Sequence, residues 1–247
     1  RRSSPPPCRS GSAAAAPAPL VEAPPFPFTP TVSLPGYGEP IAELSAGVPG
    51  LRYDGGADRW LVVSVTPERP APSAAKSYGV AVRERKAVLE VGPDGSTLTW
   101  READGRWLRV EADRQLSRGD LTGYAAGLVP GAVPVRWPFT FETVPPGTVP
   151  DVVSRVAVSF RPEGNPPSHG FAGNLTVMLS YTAEMAPSGR AVAVGGRTGW
   201  VTATGLTVDL GDGRTLVVQS EIGLAEADLV AFAAGVHPTP DAVVGRG

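Results

Sequence analysis

Apolar and polar residues alternate along much of this chain with a period of two, the period typical of half-buried β-strands. The alternation is clear in residues 152–160, in residues 206–210 and in Leu108-Arg109-Val110. Asp-Gly dipeptides, a combination that favours tight hairpin turns, lie between such segments at residues 94–95, 104–105 and 212–213. The pattern therefore predicts a series of short strands joined mainly by hairpins.

From Phe26 onward the sequence repeats itself, with matches in the same order in both halves. The clearest pairs are Pro27-Phe28-Thr29 with Pro138-Phe139-Thr140, Asp104-Gly105-Arg106 with Asp212-Gly213-Arg214, and Tyr124-Ala125-Ala126-Gly127 with Phe232-Ala233-Ala234-Gly235. Ordered matches of this kind indicate a duplicated unit. We predict a first unit over residues 26–134, a second copy over 135–240 and a tail at 241–247, all behind a disordered Pro/Ala-rich linker at 1–25.

Each unit closes on a pattern typical of a short amphipathic helix. Ser117 is a candidate N-cap, and Asp120 three residues later fits a capping box. Leu116 and Leu121 flank this cap as a hydrophobic staple. The apolar face of the helix consists of Leu121, Tyr124, Ala125 and Leu128. Ala225 replaces Ser117 in the second copy, so we expect a weaker cap there.

A single amphipathic helix that follows an antiparallel sheet buries its apolar face on that sheet. We therefore predict an α+β fold made of two tandem units. Each unit is expected to be an antiparallel meander of five or six short strands, packed by one C-terminal helix.

Composition excludes several classes of function. The net charge is −2 and acids and bases are mixed along the chain, which argues against nucleic acid as a partner. Cys8 is the single cysteine, so an intrachain disulfide and a site with two cysteine ligands are both excluded. The basic residues are 20 Arg and two Lys, a bias typical of a high-GC, actinobacterial genome.

The start of the chain bears on its location. No run of 18 apolar residues is present, so no segment of the given sequence is expected to span a membrane. Arg1 and Arg2 precede a Pro/Ser/Ala-rich stretch, the arrangement found after a transmembrane helix or at the start of a trimmed leader. We expect the protein to be extracytoplasmic, either tethered to the membrane by a preceding segment or secreted.

The residues offer little chemistry for catalysis, for a metal or for a cofactor. His169 and His237 have no acid or second histidine at ligand spacing, and no Gly-x-Ser-x-Gly motif marks a nucleophile. The tryptophans carry what binding potential there is. If the turn at Asp104-Gly105 closes a hairpin, Trp107 is expected opposite Trp100, and the pair would line an aromatic groove for a glycan or peptide. We predict no enzyme activity and no cofactor.

A set of short motifs gives the first unit a recognisable pattern: Leu34-Pro35-Gly36-Tyr37, Leu98-Thr99-Trp100, Gly105-Arg106-Trp107, and Leu116-Ser117 ahead of Asp120-Leu121. The pattern resembles the uncharacterised extracytoplasmic domain that follows the transmembrane helix in many anti-sigma-factor-like membrane proteins and in some Gram-positive lipoproteins. The resemblance implies a sensing or interaction role outside the membrane, with no catalytic residues. Thr148 replaces Tyr37 and Val208 replaces Trp100 in the second copy, which departs from the pattern.

We therefore predict a non-catalytic binding or sensing module whose partner is a protein or a cell-envelope component. The candidate binding surface is Trp100, Trp107 and Tyr37 of the first copy. The main alternative is a lipid- or cell-wall-binding carrier, which requires an apolar cavity between sheet and helix; more distant similarity to lipid-binding half-barrels of the cell envelope favours it. A hydrolase is the third hypothesis, and it requires His169 or His237 to meet a serine or an acid in a cleft.

Overall fold

The computed structural model describes residues 22–56, 58–72, 76–168, 171–184 and 188–245. Strands make up 49% and helices 10% of this part of the chain. Cys8, His169 and most of the predicted linker lie outside the described residues.

The strands of the first half are β1 (Phe26–Pro30), β2 (Ile41–Ser45), β3 (Val48–Asp54), β4 (Trp60–Thr66), β5 (Lys76–Val82), β6 (Arg85–Val91), β7 (Gly95–Arg101), β8 (Trp107–Asp113) and β9 (Leu128–Val133). Those of the second half are β10 (Phe139–Phe141), β11 (Thr148–Val153), β12 (Ala157–Pro162), β13 (Leu175–Tyr181), β14 (Arg190–Val194), β15 (Arg197–Val201), β16 (Gly205–Asp209), β17 (Arg214–Ser220) and β18 (Val236–Pro238). The helices are α1 (Arg118–Ala126) and α2 (Glu226–Ala234), and a 3-10 turn covers Thr182–Glu184.

Fourteen of these strands form one antiparallel sheet, in the order β14-β15-β16-β17-β13-β12-β11-β2-β3-β4-β8-β7-β6-β5. Counted outward from the pair β2–β11, the corresponding strands of the two halves follow one another in the same order. In each half the third strand pairs with the last rather than with the next one along the chain, as β4 does with β8. The remaining strands form two ribbons, β1 with β9 and β10 with β18.

Backbone pairing and buried apolar side chains both join the two halves. Val153 of β11 lies opposite Leu44 of β2, and the backbone N–H of Gly47 donates to the carbonyl oxygen of Asp151 at 2.8 Å. The Leu44 side chain is buried in the apolar core of the second half. Val135, in the segment that connects the halves, packs against both cores.

The predicted α+β fold with two tandem helix-packed units is therefore wrong. The described chain is mostly β, and its strands share a single sheet with only two helices packed on it. Periodicity identifies which residues of a strand face the core, but pairing of strand edges depends on distant backbone groups that leave no mark in the local pattern. The expected meander fails for the same reason, because β8 lies between β4 and β7.

The helices and the ribbons lie on the same face of the sheet, and the cores fill the space between them. Leu61, Val63 and Val65 of β4 belong to the same buried apolar cluster as Leu121 and Tyr124 of α1. The Tyr124 hydroxyl donates to the Tyr53 hydroxyl at 3.0 Å, and the two rings meet edge to face. We call the opposite face of the sheet the open face.

Local predictions fare better than the fold class. The Asp-Gly turns at 94–95, 104–105 and 212–213 connect paired neighbouring strands, as predicted. The prediction of one strand over residues 152–160 is wrong in its middle, where a turn separates β11 from β12. The Ser154 N–H donates across that turn to the carbonyl oxygen of Ala157 at 2.9 Å.

The predicted helix caps are confirmed. The Ser117 hydroxyl oxygen accepts a hydrogen bond from the backbone N–H of Asp120 at 3.1 Å. Ala225 occupies the same position before α2 and supplies no side-chain cap. Both helices are followed at once by a glycine, Gly127 and Gly235.

The turn between β5 and β6 holds two non-glycine residues in the left-handed region, where a β-carbon is unfavourable. Arg83 has φ of 46° and Glu84 has φ of 63°. In the second half the same turn is Gly195-Gly196, with φ of 54° and 81°. Arg83 also forms an ion pair with Glu102. The ion pair offsets part of the backbone strain at Arg83. Glu84 forms no ion pair among the described residues, so its strain is not offset in this way.

Glu84→Gly is expected to raise the free energy of unfolding by up to about 1 kcal/mol, because glycine adopts the left-handed conformation without strain. Urea denaturation followed by circular dichroism measures the change. Gly196→Ala is the matched control and is expected to lower stability by about 1 kcal/mol. No atom of the described residues lies within 4 Å of its added methyl group, so that change reports backbone conformation alone. A loss of stability in Glu84→Gly would contradict the assignment of strain.

Candidate binding cleft

The open face of the first half carries a cluster of charged side chains between strands β4 and β6. The strand register places residues of neighbouring strands in one row across this face: Glu90, Thr97, Glu111, Val62 and Arg52. Because side chains alternate between the faces of a sheet, these residues point away from the helix α1.

A cleft with a volume of about 410 Å³ lies on this part of the open face. Its walls are the side chains of Trp60, Glu90, Thr97, Arg109 and Glu111, together with the turn at residues 92–96. We call it the Trp60 cleft. Its volume is in the range of pockets that hold small ligands, which is roughly 300–1,000 Å³.

The turn between β6 and β7 forms one end of the Trp60 cleft. The Gly92 N–H donates to the carbonyl oxygen of Gly95 at 2.9 Å and closes the turn, with Asp94 exposed at its tip. A β-carbon on Gly95 would overlap the carbonyl oxygen of Ala112. Glycine at this position therefore allows β7 to approach β8 closely at the end of the cleft.

In the Trp60 cleft, one of the buried or half-buried carboxylates is paired with an arginine in the described chain and another is not. Arg109 Nη2 donates to Glu111 Oε1 at 2.7 Å, so the one arginine of the cleft is held by one carboxylate. Glu90 is only 5% exposed, and its Oε1 has no hydrogen-bond partner among the residues that the structure describes. A buried carboxylate without a donor is unfavourable. The cleft thus contains an acceptor that the fold leaves unused.

The second half builds the same strands without this cluster. Val177 lies opposite Val218 as Val63 lies opposite Val110, which aligns the two halves residue by residue. At the positions of Trp60, Glu90, Arg109 and Glu111 the second half has Asn174, Thr202, Val217 and Gln219. Since the same strand order forms without the charges, the fold does not require them in the first half.

A neighbouring cleft of about 360 Å³ continues along the open face towards β2 and shares Glu111 with the Trp60 cleft. Glu43 lies on its wall, and burial raises the pKa of this carboxyl above its ordinary value. The folded state therefore binds a proton at Glu43 more readily than the unfolded state does. It follows that the ionised side chain lowers stability once the pH exceeds the ordinary pKa of a glutamate.

Glu43→Gln is expected to raise the melting temperature at pH 7 by a few degrees, because the neutral amide avoids the burial of a charge. The gain should shrink as the pH falls, since wild-type Glu43 then becomes protonated. Thermal unfolding at a series of pH values tests this. Glu163→Gln, at an exposed side chain of the second half, is the control and should leave the melting temperature unchanged. A gain that does not depend on pH would contradict the role of burial.

The residues predicted to form an aromatic groove do not come together. Trp100 lies opposite Leu108 and is fully buried, and its Nε1–H donates to Glu102 Oε1 at 2.8 Å. Trp107 lies opposite Arg101, one position further along, and so points to the open face. The predicted pairing of Trp100 with Trp107 is wrong, because their register differs by one residue and this places them on opposite faces.

Tyr37 supports the structure near the end of β8. Its side chain is 3% exposed, and its hydroxyl donates to Asp113 Oδ2 at 2.8 Å. The same carboxylate oxygen accepts the backbone N–H of Trp60 at 2.8 Å. Tyr37 therefore acts behind the Trp60 cleft, through Asp113, rather than as a contact surface.

Each half also has a cleft between its Pro-Gly loop and its helix. The cleft of the first half has a volume of about 360 Å³ and contains Tyr37 and Tyr124. Its counterpart beside α2 has a volume of about 520 Å³ and contains Leu224 and Phe232. Thr148 stands at the position of Tyr37 there, and the smaller side chain accounts for part of the added space.

His237 is not among the residues that line the Trp60 cleft, and His169 lies outside the described residues. His237 Nε2 lies 3.2 Å from Glu142 Oε1 on the β10–β18 ribbon, where both side chains are exposed. The described residues contain no group of three or more His, Cys, Asp or Glu side chains able to hold a metal ion. Within the same residues, no helix is long and apolar enough to cross a membrane.

Sequence reasoning missed Glu90 and Glu111 as site residues. A signal for Glu90 was present, because it is the single acid in the apolar stretch of residues 87–91, Ala-Val-Leu-Glu-Val. Its burial could not be inferred, since that depends on how the neighbouring strands enclose it. Comparison of the sequence with models of known protein families and with curated proteins finds no match in either.

Proposed function

We propose that the chain is a non-catalytic binding module of the bacterial cell envelope, and that it binds its ligand in the Trp60 cleft. The observation that carries the proposal is Glu90, a buried carboxylate whose Oε1 has no partner among the described residues. A buried polar group left without a partner lowers stability, so its retention favours a use outside folding.

The comparison between the halves supports the same site. The second half forms its strands with Thr202 and Val217 at the positions of Glu90 and Arg109. The charges are therefore specific to one cleft. The location outside the cytoplasm is proposed on the motif resemblance of the first unit, chiefly Leu34-Pro35-Gly36-Tyr37 and Leu98-Thr99-Trp100.

The absence of catalysis is proposed from the chemistry of the cleft. The hydroxyl groups on its wall are those of Ser96 and Thr97, and neither forms a side-chain hydrogen bond to a base among the described residues. The carrier alternative requires ligand space under a helix. Under α1, Leu121 and Tyr124 are fully buried in the core, and under α2 Leu229 and Phe232 are buried likewise, which favours the open face.

Nuclear magnetic resonance on the full chain with a small-molecule fragment library tests the proposal. The chain has five tryptophans, so each indole N–H signal can be assigned by replacing that tryptophan with phenylalanine. We expect a subset of fragments to shift the Trp60 indole signal and to leave that of Trp200, in the second half, unchanged.

Two results would overturn the proposed function. One is that no fragment shifts the Trp60 signal. The other is that the binding fragments shift only residues beside α2, such as Leu224 and Phe232, which would move the site to the helix cleft and favour the carrier alternative.

A further inference from the structure

We propose that the ligand of the Trp60 cleft carries an organic ammonium group attached to a short hydrocarbon chain, as a lysine side chain or a free alkylamine does. The inference rests on the proposed function and names the ligand class of the same site. It follows from the charge, the unused acceptor and the aromatic wall of the cleft, taken in turn.

The charges of the Trp60 cleft favour a cation. Three carboxylates line it, those of Glu90, Asp94 and Glu111, against the single guanidinium of Arg109. Arg109 Nη2 donates to Glu111, which offsets the charge of the one cation, although Arg109 Nε has no hydrogen-bond partner among the described residues. An anionic ligand would also meet Glu90 at close range, and like charges in a partly dry site repel strongly.

The unused acceptor favours a ligand that donates hydrogen bonds. Glu90 Oε1 is buried and has no donor among the described residues. An ammonium group supplies three N–H donors and a full positive charge, so it satisfies the oxygen and compensates the buried charge together. A metal ion fits less well, because the described residues hold no cluster of three or more suitable ligands.

The aromatic wall favours a cation that is organic. The Trp60 side chain is 36% exposed and forms one wall of the cleft. An indole ring attracts an ammonium group through its π-electrons and covers hydrocarbon through its apolar surface. A compact, fully hydrated inorganic ion would use neither property. An alkylammonium chain lying along Trp60 with its head at Glu90 uses both.

Isothermal titration of the full chain with matched pairs of probes tests the inference. Pentylamine is compared with pentanol, and acetyl-lysine methylamide with acetyl-norleucine methylamide, which lacks the ammonium group. We expect both cations to bind and both neutral probes to bind at least tenfold more weakly, with affinity falling as salt is added. Equal affinity for the two cations indicates a free amine as the natural source; preference for the capped lysine indicates a protein segment.

Glu90→Gln is expected to weaken binding of the cations by roughly tenfold to a hundredfold, since a charged hydrogen bond is lost. Glu142→Gln, which removes the same charge from an exposed position on the β10–β18 ribbon, should leave affinity unchanged. The Glu90→Gln protein should also melt at an equal or higher temperature, because the carboxylate that it loses has no donor among the described residues. A lower melting temperature would assign Glu90 a structural role and overturn the inference.

The failure of this inference can be told apart from failure of the proposed function. If the neutral probes bind as well as the cations, or if Glu90→Gln binds like Glu142→Gln, the ammonium inference is wrong. The binding module stands if other fragments still shift the Trp60 indole signal. If no probe and no fragment shifts that signal, both proposals fail.

Discussion

Replacing Trp100 with alanine is expected to lower the free energy of unfolding by about 3 to 5 kcal/mol. Trp100 is fully buried in the core of the first half, and its indole N–H donates to Glu102. The substitution therefore opens a large cavity and leaves a buried carboxylate oxygen with one donor fewer. Urea denaturation followed by circular dichroism measures the change without relying on tryptophan fluorescence.

Trp107→Ala is the matched control for that experiment. Trp107 lies on the open face, is only half-buried and stacks against the guanidinium of Arg69 at 5.4 Å from the ring centroid. Its loss is expected to lower stability by about 1 kcal/mol, the value typical of single substitutions. If Trp107→Ala were the more destabilising of the two, the assignment of Trp100 to the core and Trp107 to the open face would be wrong.

Replacing Asp113 with alanine is expected to lower the free energy of unfolding by about 3 kcal/mol, because several buried donors lose a charged acceptor together. The Asp113 carboxylate accepts hydrogen bonds from the Tyr37 hydroxyl at 2.8 Å, the Trp60 N–H at 2.8 Å and the Gln115 N–H at 2.6 Å. Tyr37→Phe removes one of these donors and should cost about 1 kcal/mol. Chemical denaturation of both variants at neutral pH gives the comparison.

The pH dependence of the same network has a definite sign. Burial alone would raise the pKa of Asp113, but the hydrogen bonds from Tyr37 and from the backbone at Trp60 and Gln115 lower it below its ordinary value. The stability that Asp113 contributes is therefore present above the pKa of an unfolded aspartate, about 3.9. It is lost as the pH falls through the lower pKa of the folded state.

Asp113→Asn should therefore show a flatter fall in stability than the wild type below about pH 4. Thermal unfolding across this pH range measures the two slopes, and parallel curves would show that Asp113 does not titrate with folding. The variant is also expected to change the position of Trp60, because the same carboxylate holds its backbone N–H.

The local features of the fold could be predicted because their causes are local. Ser117 caps its helix through a residue three positions away, and the turn at Asp104-Gly105 depends on a few φ angles. The pairing of β4 with β8 joins residues such as Val63 and Val110, which are far apart in sequence. No alternation of apolar and polar residues encodes that choice, so the sequence pattern does not predict the single sheet.

The candidate site illustrates the same limit. The prediction that the first half is the one to bind was drawn from Tyr37 and Trp100, which the structure places in supporting or core positions. Their neighbours in space are functional candidates instead: Tyr37 holds Asp113, and Asp113 holds Trp60. A shift of one residue in the β7–β8 register was enough to move Trp100 from the predicted groove to the core.

The pairing of β2 with β11 has a consequence for solubility. A sheet edge presents unpaired backbone groups to which another chain can add a strand. Two separate seven-stranded sheets would have four such edges, whereas the joined sheet ends only at β5 and β14. These outer strands begin with the exposed cations Lys76 and Arg190, and charges on an edge discourage strand addition. The pairing of β2 with β11 therefore covers two strand edges that could otherwise pair with another chain, and the strands left at the edges of the sheet, β5 and β14, begin with charged residues.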